Sequence, residues 1–79
     1  MSAVRVRLTF PENLIKEPVI AKVVKEFDVM PNIRRAKVED SYGWIVCELG
    51  GTHENVDSAI AWMRQLGVEV DLLGDVVEG

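Results

Sequence analysis

Four segments of the chain alternate apolar and polar residues, with the period of two that is typical of half-buried β-strands. Pro11 ends the first segment, and Gly50 and Gly51 end the third. A hairpin turn is expected at residues 41–43, and a tail from Asp75 to the C-terminus. The four predicted strands are Val4–Phe10, Asn32–Asp40, Trp44–Leu49 and Val68–Leu72.

Two further segments carry apolar residues at helical spacing. The first helix should begin at Pro18 and end near Asp28, because Pro31 disfavours helix at the residue before it. The second has Thr52 as a good N-cap and Gly67 as a natural end. The predicted buried stripes are Ile20, Val23, Val24 and Phe27 in the first helix, and Val56, Ala59, Ile60 and Met63 in the second.

The resulting order, β-α-β-β-α-β, has one common solution under the rules for short connections and right-handed crossovers. It is an α+β ferredoxin-like sandwich, in which two helices cover one face of a four-stranded antiparallel sheet. Residues 1–79 are predicted to be a single domain with a core of about 3–74 and a short C-terminal tail. Strand one would lie beside strand four, so that Arg5 and Arg7 face Glu69 and Asp71.

The second predicted strand has an internal change of parity. Ala36 and Val38 share a face, but Ile33 has the opposite parity. Ile33 therefore points away from them unless Arg34 and Arg35 form a bulge.

Composition and charge restrict the class of protein. Of the 79 residues, 48% are hydrophobic and 28% are charged, as in an ordinary small globular domain. The net charge of −4 argues against a nucleic-acid-binding protein, which normally has a basic face. No apolar run approaches the ~20 residues of a membrane helix, and the alternating N-terminus is unlike a signal peptide. We therefore expect a cytoplasmic protein without membrane insertion, and the initiator Met followed at once by a strand favours a free-standing gene.

Candidate catalytic and metal-binding groups are few. Cys47 and His53 are the only soft metal ligands, and structural zinc takes four ligands, so no metal site is predicted. By parity Cys47 faces the core, where a thiol packs as a small apolar residue. The sequence has no Ser-His-Asp order, P-loop or dinucleotide-binding glycine motif, and its acidic residues form no evident pocket. We predict neither an enzyme nor a bound cofactor.

Three features are candidates for binding. Trp44 and Val46 lie on the uncovered sheet face, where an apolar patch often marks an interface, although arginine stems could cover such a Trp instead. The loop from Pro11 to Glu17 leads into a helix N-terminus, which suits a carboxylate but is also an ordinary connection. Asn32 can bind both charged groups of an amino acid, although its residue type alone favours a turn.

A series of short motifs runs from Val4 to Gly74. They are Leu8–Thr9–Phe10–Pro11, Glu17–Pro18–Val19–Ile20, Asn32–Ile33, Gly43, Gly51–Thr52, Ala59–Ile60–Ala61–Trp62, Gly67–Val68–Glu69–Val70 and Leu73–Gly74. Each motif is short, but in their order and spacing together they resemble the NIL domain family.

The resemblance implies a function as well as a fold. The family is known as the C-terminal regulatory domain of the ATPase subunit of methionine importers, where two copies pair through their sheets and methionine binds near the pairing surface. An Asn just before the first Ile of strand two takes part in that binding, and the matching residue here is Asn32. Because the chain has no Walker motif, inhibition of transport is not implied for it.

Two functions stay open on this basis. The first is a regulatory sensor of methionine or a related amino acid at a homodimer interface. The second is a protein–protein interaction module that docks onto a transporter ATPase, a ferredoxin or a sulfur-metabolism enzyme without a small ligand. The candidate ligand-binding residues are Asn32, Ile33, Met30, Phe10 and Pro11, and the candidate dimer interface is Trp44 and Val46.

Overall fold

The structure, a computed structural model, describes residues 2–76 and contains four strands, two α-helices and one short 3₁₀ helix. The 3₁₀ helix, Glu12–Leu14, lies in the first connection. The other elements are β1 (Ser2–Pro11), α1 (Val19–Phe27), β2 (Met30–Val38), β3 (Tyr42–Gly51), α2 (His53–Leu66) and β4 (Glu69–Asp75).

The sheet has the strand order β2-β3-β1-β4, and every neighbouring pair is antiparallel. Both helices pack on one side of it, which confirms the predicted ferredoxin-like sandwich. We call the other side of the sheet the open face. β3 and β1 are the central strands, so the residues at their middle have neighbours on both sides, whereas β2 and β4 are edges.

The core lies between the sheet and the helices. Leu8 of β1 and Leu49 of β3 are fully buried, because alternate residues of the central strands face the helix layer. The two helices meet where Phe27 packs on Trp62, with ring centroids 5.4 Å apart. A core of this kind, formed by one sheet face and two short helices, positions the opposite face as a rigid platform.

The second helix agrees with its prediction at both ends and along its buried side. Thr52 Oγ1 accepts a hydrogen bond from the Asn55 backbone N–H at 3.1 Å, which caps the helix. Gly67 ends it with a φ of 108°, a left-handed conformation that glycine adopts without a Cβ clash. The buried residues of α2 are Val56, Ala59, Ile60 and Met63, as predicted.

The first helix buries Val23 and packs Ile20 and Phe27 against the core as predicted, but Val19 takes the place of Val24. Val19 is 2% exposed and Val23 is fully buried, whereas Val24, which the spacing places inside, is 40% exposed. The sequence offers two adjacent apolar pairs, Val19–Ile20 and Val23–Val24, and therefore fits stripes rotated by one position. Packing against the sheet selects between them. The helix ends as predicted, with Asp28 as its left-handed cap at a φ of 54°.

Two strand boundaries also differ from the predictions. The β2–β3 connection occupies residues 39–41, and the Glu39 N–H donates to the Tyr42 carbonyl at 2.8 Å. The turn predicted at 41–43 is therefore placed too late, since Tyr42 and Gly43 already belong to β3. β2 begins at Met30, before the predicted Asn32, because pairing with β3 continues to Gly50.

The last strand is longer and more exposed than its alternation predicts. Leu72 is 59% exposed, although it has the inward parity, because β4 is an edge strand whose register with β1 shifts between Arg5 and Val6. Asp75 belongs to β4, and the Val76 N–H donates to the Ala3 carbonyl at 3.0 Å. The rest of the predicted tail, residues 77–79, lies outside the described residues.

Candidate functional site

Strand register arranges the open face in three rows that cross the sheet. Residues that pair across antiparallel strands point to the same face, so each row carries four neighbouring positions. We name each row by its β2 residue. The Lys37 row is Lys37, Trp44, Thr9 and Glu69; the Arg35 row is Arg35, Val46, Arg7 and Asp71; the Asn32 row is Asn32, Glu48, Arg5 and Gly74.

The expected facing of β1 and β4 charges is half correct. Arg7 lies opposite Asp71 as predicted. Arg5 does not face Glu69, because the antiparallel register that sets Arg7 opposite Asp71 sets Thr9 opposite Glu69. Arg5 lies opposite Gly74, beyond the register shift, and pairs with Glu48 of β3.

Trp44 lies on the open face, as the alternation predicts, and it is half-buried. The Arg7 guanidinium carbon is 5.0 Å from the centroid of the Trp44 ring, within the range of a cation–π contact. Val46, one row away, is also half-buried. The centre of the open face therefore presents partly covered apolar groups, ringed by charges.

Glu48 is the one charged residue in the buried class among residues 3–76, at 7% exposure. Its Oε2 accepts from Arg5 Nη2 at 2.8 Å, and its Oε1 accepts from Arg34 Nη2 at 3.0 Å and Nε at 3.2 Å. Asn32 Nδ2 donates to the same Oε1 at 3.4 Å. We call these four residues the Glu48 cluster, and every bond in it links different strands.

The charges around Glu48 set its protonation state. The hydrogen bond from Arg5, followed by the contacts with Arg34, holds the pKa of the Glu48 carboxyl below its usual range, although burial acts in the opposite direction. The carboxylate is therefore ionised at neutral pH. Two guanidinium groups and one carboxylate leave the cluster with a net positive charge, on a chain whose total charge is −4.

A bulge in β2 turns Arg34 towards this cluster. Ile33 pairs with Cys47 and Arg35 pairs with Val46, the adjacent residue of β3. Arg34 is therefore the extra residue of the bulge. Ile33 consequently faces the helix layer, the outcome that the sequence made conditional on a bulge. Arg34 reaches Glu48 and Arg35 keeps open-face parity, so two consecutive arginines serve the same face.

The five predicted ligand-binding residues do not form one site within a single chain. Asn32 and Met30 have open-face parity on β2, and Ile33 has helix-side parity. Phe10 is buried at the other end of the sheet beside Gly43, and Pro11 is exposed next to it. Phe10 lies five pairs along the sheet from Asn32, about 17 Å at roughly 3.4 Å per residue.

Sequence reasoning missed the Glu48 cluster. It found no evident pocket among the acidic residues and did not single out Glu48. The signal that could have found it is the open-face parity of a single acid in a central strand, combined with Arg5 on the adjacent strand. The contribution of Arg34 could not be found this way, because it depends on the bulge.

Comparison with known sequences identifies the family. The sequence profile of the NIL domain matches residues 4–72, which is most of the chain. The chain belongs to the NIL domain family. The resemblance noted from short motifs is thereby confirmed.

Several relatives of this NIL domain are parts of much longer proteins. The methionine import ATP-binding protein MetN of Coxiella burnetii is 30% identical over 74 residues, which cover 89% of this chain and 21% of the relative. MetN 2 of Listeria innocua is 33% identical over 72 residues, with coverages of 86% and 21%. A polyribonucleotide nucleotidyltransferase of Thermotoga neapolitana is 38% identical over 61 residues, with coverages of 77% and 8%. The chain thus spans about a fifth of the methionine import relatives.

A solved structure agrees with the fold of this NIL domain. The C-terminal domain of an ABC transporter ATP-binding protein from Enterococcus faecalis superposes with a TM-score of 0.78 at 29% identity. The match covers 90% of this chain and 83% of that one. Within residues 2–76, neither helix has the length and apolar character needed to cross a membrane.

A concavity lies on the helix side of this NIL domain. It is an apolar groove of about 200 Å³ between the start of α1 and the β2–β3 hairpin, lined by Phe10, Leu14, Ile15, Val19, Val38 and Ile45. The groove includes the loop that the sequence marked as a possible carboxylate site, but Pro18 precedes α1 and offers no side-chain hydrogen bond there. The charged groups of the Glu48 cluster lie on the open face instead.

The two soft metal ligands of the sequence, Cys47 and His53, lie in different environments. Cys47 is fully buried on the helix side of β3, as predicted, and burial raises the pKa of its thiol to about 11. The His53 side chain is 85% exposed in the first turn of α2, 3.4 Å from Asp57 Oδ2. No group of three or more potential metal ligands occurs among the residues that the structure describes.

Proposed function

We propose that this NIL domain is a non-catalytic regulatory sensor, which binds methionine or a related amino acid on its open face, where two copies of the chain pair. The observation that carries the proposal is the grouping of Asn32, two arginines and Trp44 on the sheet face opposite the helices. The relatives named as methionine import ATP-binding proteins support the ligand class. We place this sensor in the cytoplasm, in association with a transporter ATPase.

The chemistry of the open face suits an amino acid. Guanidinium and amide N–H groups bind a carboxylate, and amide and carboxylate oxygens bind an ammonium group. Apolar surface for the side chain is available at Met30, which is 66% exposed, and at Val46 and Trp44. Ile33 has helix-side parity, and Phe10 and Pro11 lie at the far end of the sheet. These three residues therefore do not contact a ligand on the open face near Asn32 in one chain.

Charge along the rows supports pairing of two open faces. A two-fold axis parallel to the strands, between β3 and β1, would set β2 of each copy against β4 of the other, with each row facing its own equivalent. Lys37 would then face Glu69 of the second copy, Arg35 would face Asp71, and Glu48 would face Arg5. Trp44 and Val46 would lie at the apolar centre of the interface.

Regulation follows if the ligand prefers one arrangement of the two copies. A ligand shifts an equilibrium only by the difference between its affinities for the two states. An amino acid held between two open faces would bind the paired state better than the separated chains. The paired state would then be the signal to a larger assembly.

The direct test is a calorimetric titration of the purified chain with L-methionine. We expect saturable binding, loss of binding in Asn32→Ala, and unchanged affinity in Asn13→Ala, which removes an exposed Asn from the 3₁₀ helix at the far end of the sheet. Unchanged affinity in Asn32→Ala would remove Asn32 from the site. Absence of heat and of thermal stabilisation at millimolar methionine would reject the sensor itself.

The half-exposed Trp44 also fits a docking module without a small ligand. In that case the open face would bind a transporter ATPase, a ferredoxin or a sulfur-metabolism enzyme. Trp44→Glu would break the assembly, Val24→Glu on the outer side of α1 would not, and no amino acid would change the stability of the chain. These results together with a negative methionine titration would favour docking.

A further inference from the structure

We infer that the Glu48 cluster binds the α-carboxylate of the amino acid, with Arg34 as the residue that determines specificity for it and Glu48 as the residue that positions Arg34. The inference rests on the proposed function and adds the part of the ligand that is recognised. It concerns a free carboxylate next to an apolar side chain. A ligand in which the carboxylate is an amide would not be recognised.

The Glu48 cluster has unused hydrogen-bond donors. A guanidinium has five N–H donors, and Arg34 uses Nε and Nη2 on Glu48 while Arg5 uses Nη2 alone. Within the described residues, no other bond engages the second terminal nitrogen of either group. The side chains are 56% and 49% exposed, so these donors are accessible from the open face.

The Glu48 cluster also carries a net charge that favours an anionic ligand group. Glu48 neutralises one of the two guanidinium groups, and the cluster keeps one net positive charge around a buried carboxylate. A single carboxylate from the ligand would complete the balance. Arg–carboxylate pairs are charge-assisted and often bidentate, which gives them geometric specificity that a lysine does not supply.

Arg34 is held in place before the ligand binds, whereas its neighbour Arg35 is not held by Glu48. The bulge places Arg34 against Glu48 through two hydrogen bonds to one oxygen, so that little side-chain freedom remains to be lost on binding. Arg35 has the same charge and open-face parity on the same strand but makes no contact with Glu48. Any effect that requires the positioned fork should therefore distinguish the two arginines.

The position of the cluster also leaves room for the side chain of the ligand. Along β3, Val46 lies two residues from Glu48, about 7 Å at roughly 3.4 Å per residue. That separation is comparable to the length of an extended methionine side chain. A carboxylate at Arg34 would thus let the thioether reach Val46.

The experiment titrates the native chain and three variants with two ligands, L-methionine and L-methionine amide, by calorimetry. Arg34→Gln is expected to weaken L-methionine at least tenfold, whereas Arg35→Gln, the matched loss of charge, should weaken it less than threefold. The amide should bind the native chain at least tenfold more weakly than L-methionine and should bind Arg34→Gln equally weakly. Arg34→Lys, which keeps the charge, should lose most of the same affinity and guards against an unfolded Gln variant.

The outcomes distinguish failure of the carboxylate assignment from failure of the proposed sensor function. If the native chain binds L-methionine and the two arginine variants lose affinity equally, the carboxylate assignment is wrong and the sensor stands. If the amide and the free acid bind the native chain equally, the assignment is also wrong. If the native chain binds neither ligand at millimolar concentration, the proposed function fails and the assignment fails with it.

Discussion

The two faces of the sheet use the same alternating strands for different purposes. The helix-side face is apolar along its two central strands, and the residues near its middle, such as Leu8 and Leu49, are fully buried. The open face carries one buried charge, Glu48, held by three donors from two other strands. The comparison shows that burial on one face follows from apolar packing, whereas burial on the other depends on an ion-pair network.

The difference matters because the two faces tolerate change differently. Apolar burial stabilises by area and is insensitive to the identity of distant partners. A buried ion pair needs each partner in place, since removal of one leaves the other charge uncompensated. We therefore expect mutations on the helix side to change stability, and mutations in the Glu48 cluster to change both stability and recognition.

The largest expected effect is on the helix-side face. Leu8→Ala should lower the free energy of unfolding by about 2–5 kcal/mol, because it leaves a cavity in the centre of the core. Leu72→Ala, the same substitution at a residue with the same parity that is 59% exposed, should cost less than about 1 kcal/mol. Urea unfolding at fixed protein concentration measures both. Equal losses would show that the edge strand is as well covered as the centre.

A smaller effect is expected from charges that face each other only across two copies. Lys37→Glu alone and Glu69→Lys alone should each weaken dimerisation about tenfold, and the double exchange should restore most of it. Within one chain the two residues lie three strand spacings apart, about 14 Å, too far to restore each other directly. Sedimentation equilibrium measures the association. If the double variant loses as much dimer affinity as the two single variants together, the row-against-row arrangement is wrong.

The smallest effect is the pH dependence that Glu48 confers. Its pKa in the folded chain is lowered, so its carboxylate stabilises the fold above the unfolded pKa of about 4.3, and that contribution is lost as pH falls through the folded value. The stability difference between the native chain and Glu48→Gln should be constant from about pH 6 to 7 and shrink below about pH 4. Thermal melts across this range measure it. In an Arg34→Gln background, the pH dependence of stability that Glu48 confers should be smaller. An unaltered pH dependence would show that Arg34 does not lower the pKa of the Glu48 carboxyl.

The same comparison explains what the sequence could predict. The fold follows from signals that are local in the chain, such as the capping Thr52, the terminal Gly67 and the apolar stripe of α2, and these were all confirmed. Where local signals were degenerate, as in the paired valines of α1, the prediction buried Val24 in place of Val19. The register shift of the edge strand β4, which the sequence did not reveal, accounts for the exposure of Leu72.

The candidate site was less predictable because it is assembled from distant strands. Asn32 came from family resemblance, and Trp44 came from parity, but neither argument leads to Glu48. The cluster needs the order of the strands to bring Arg5 beside Glu48 and the bulge to bring Arg34 there. An alternating pattern states which face a residue occupies, and it does not state which residue stands opposite.

The central claim is that methionine binds on the face through which two copies pair. It is tested most directly by the dissociation constant of the dimer, measured by analytical ultracentrifugation with and without saturating L-methionine. Since coupling between binding and association is reciprocal, we predict that methionine lowers this constant at least tenfold. A dissociation constant that methionine leaves unchanged would contradict the account, because a ligand held between two open faces must favour the paired state.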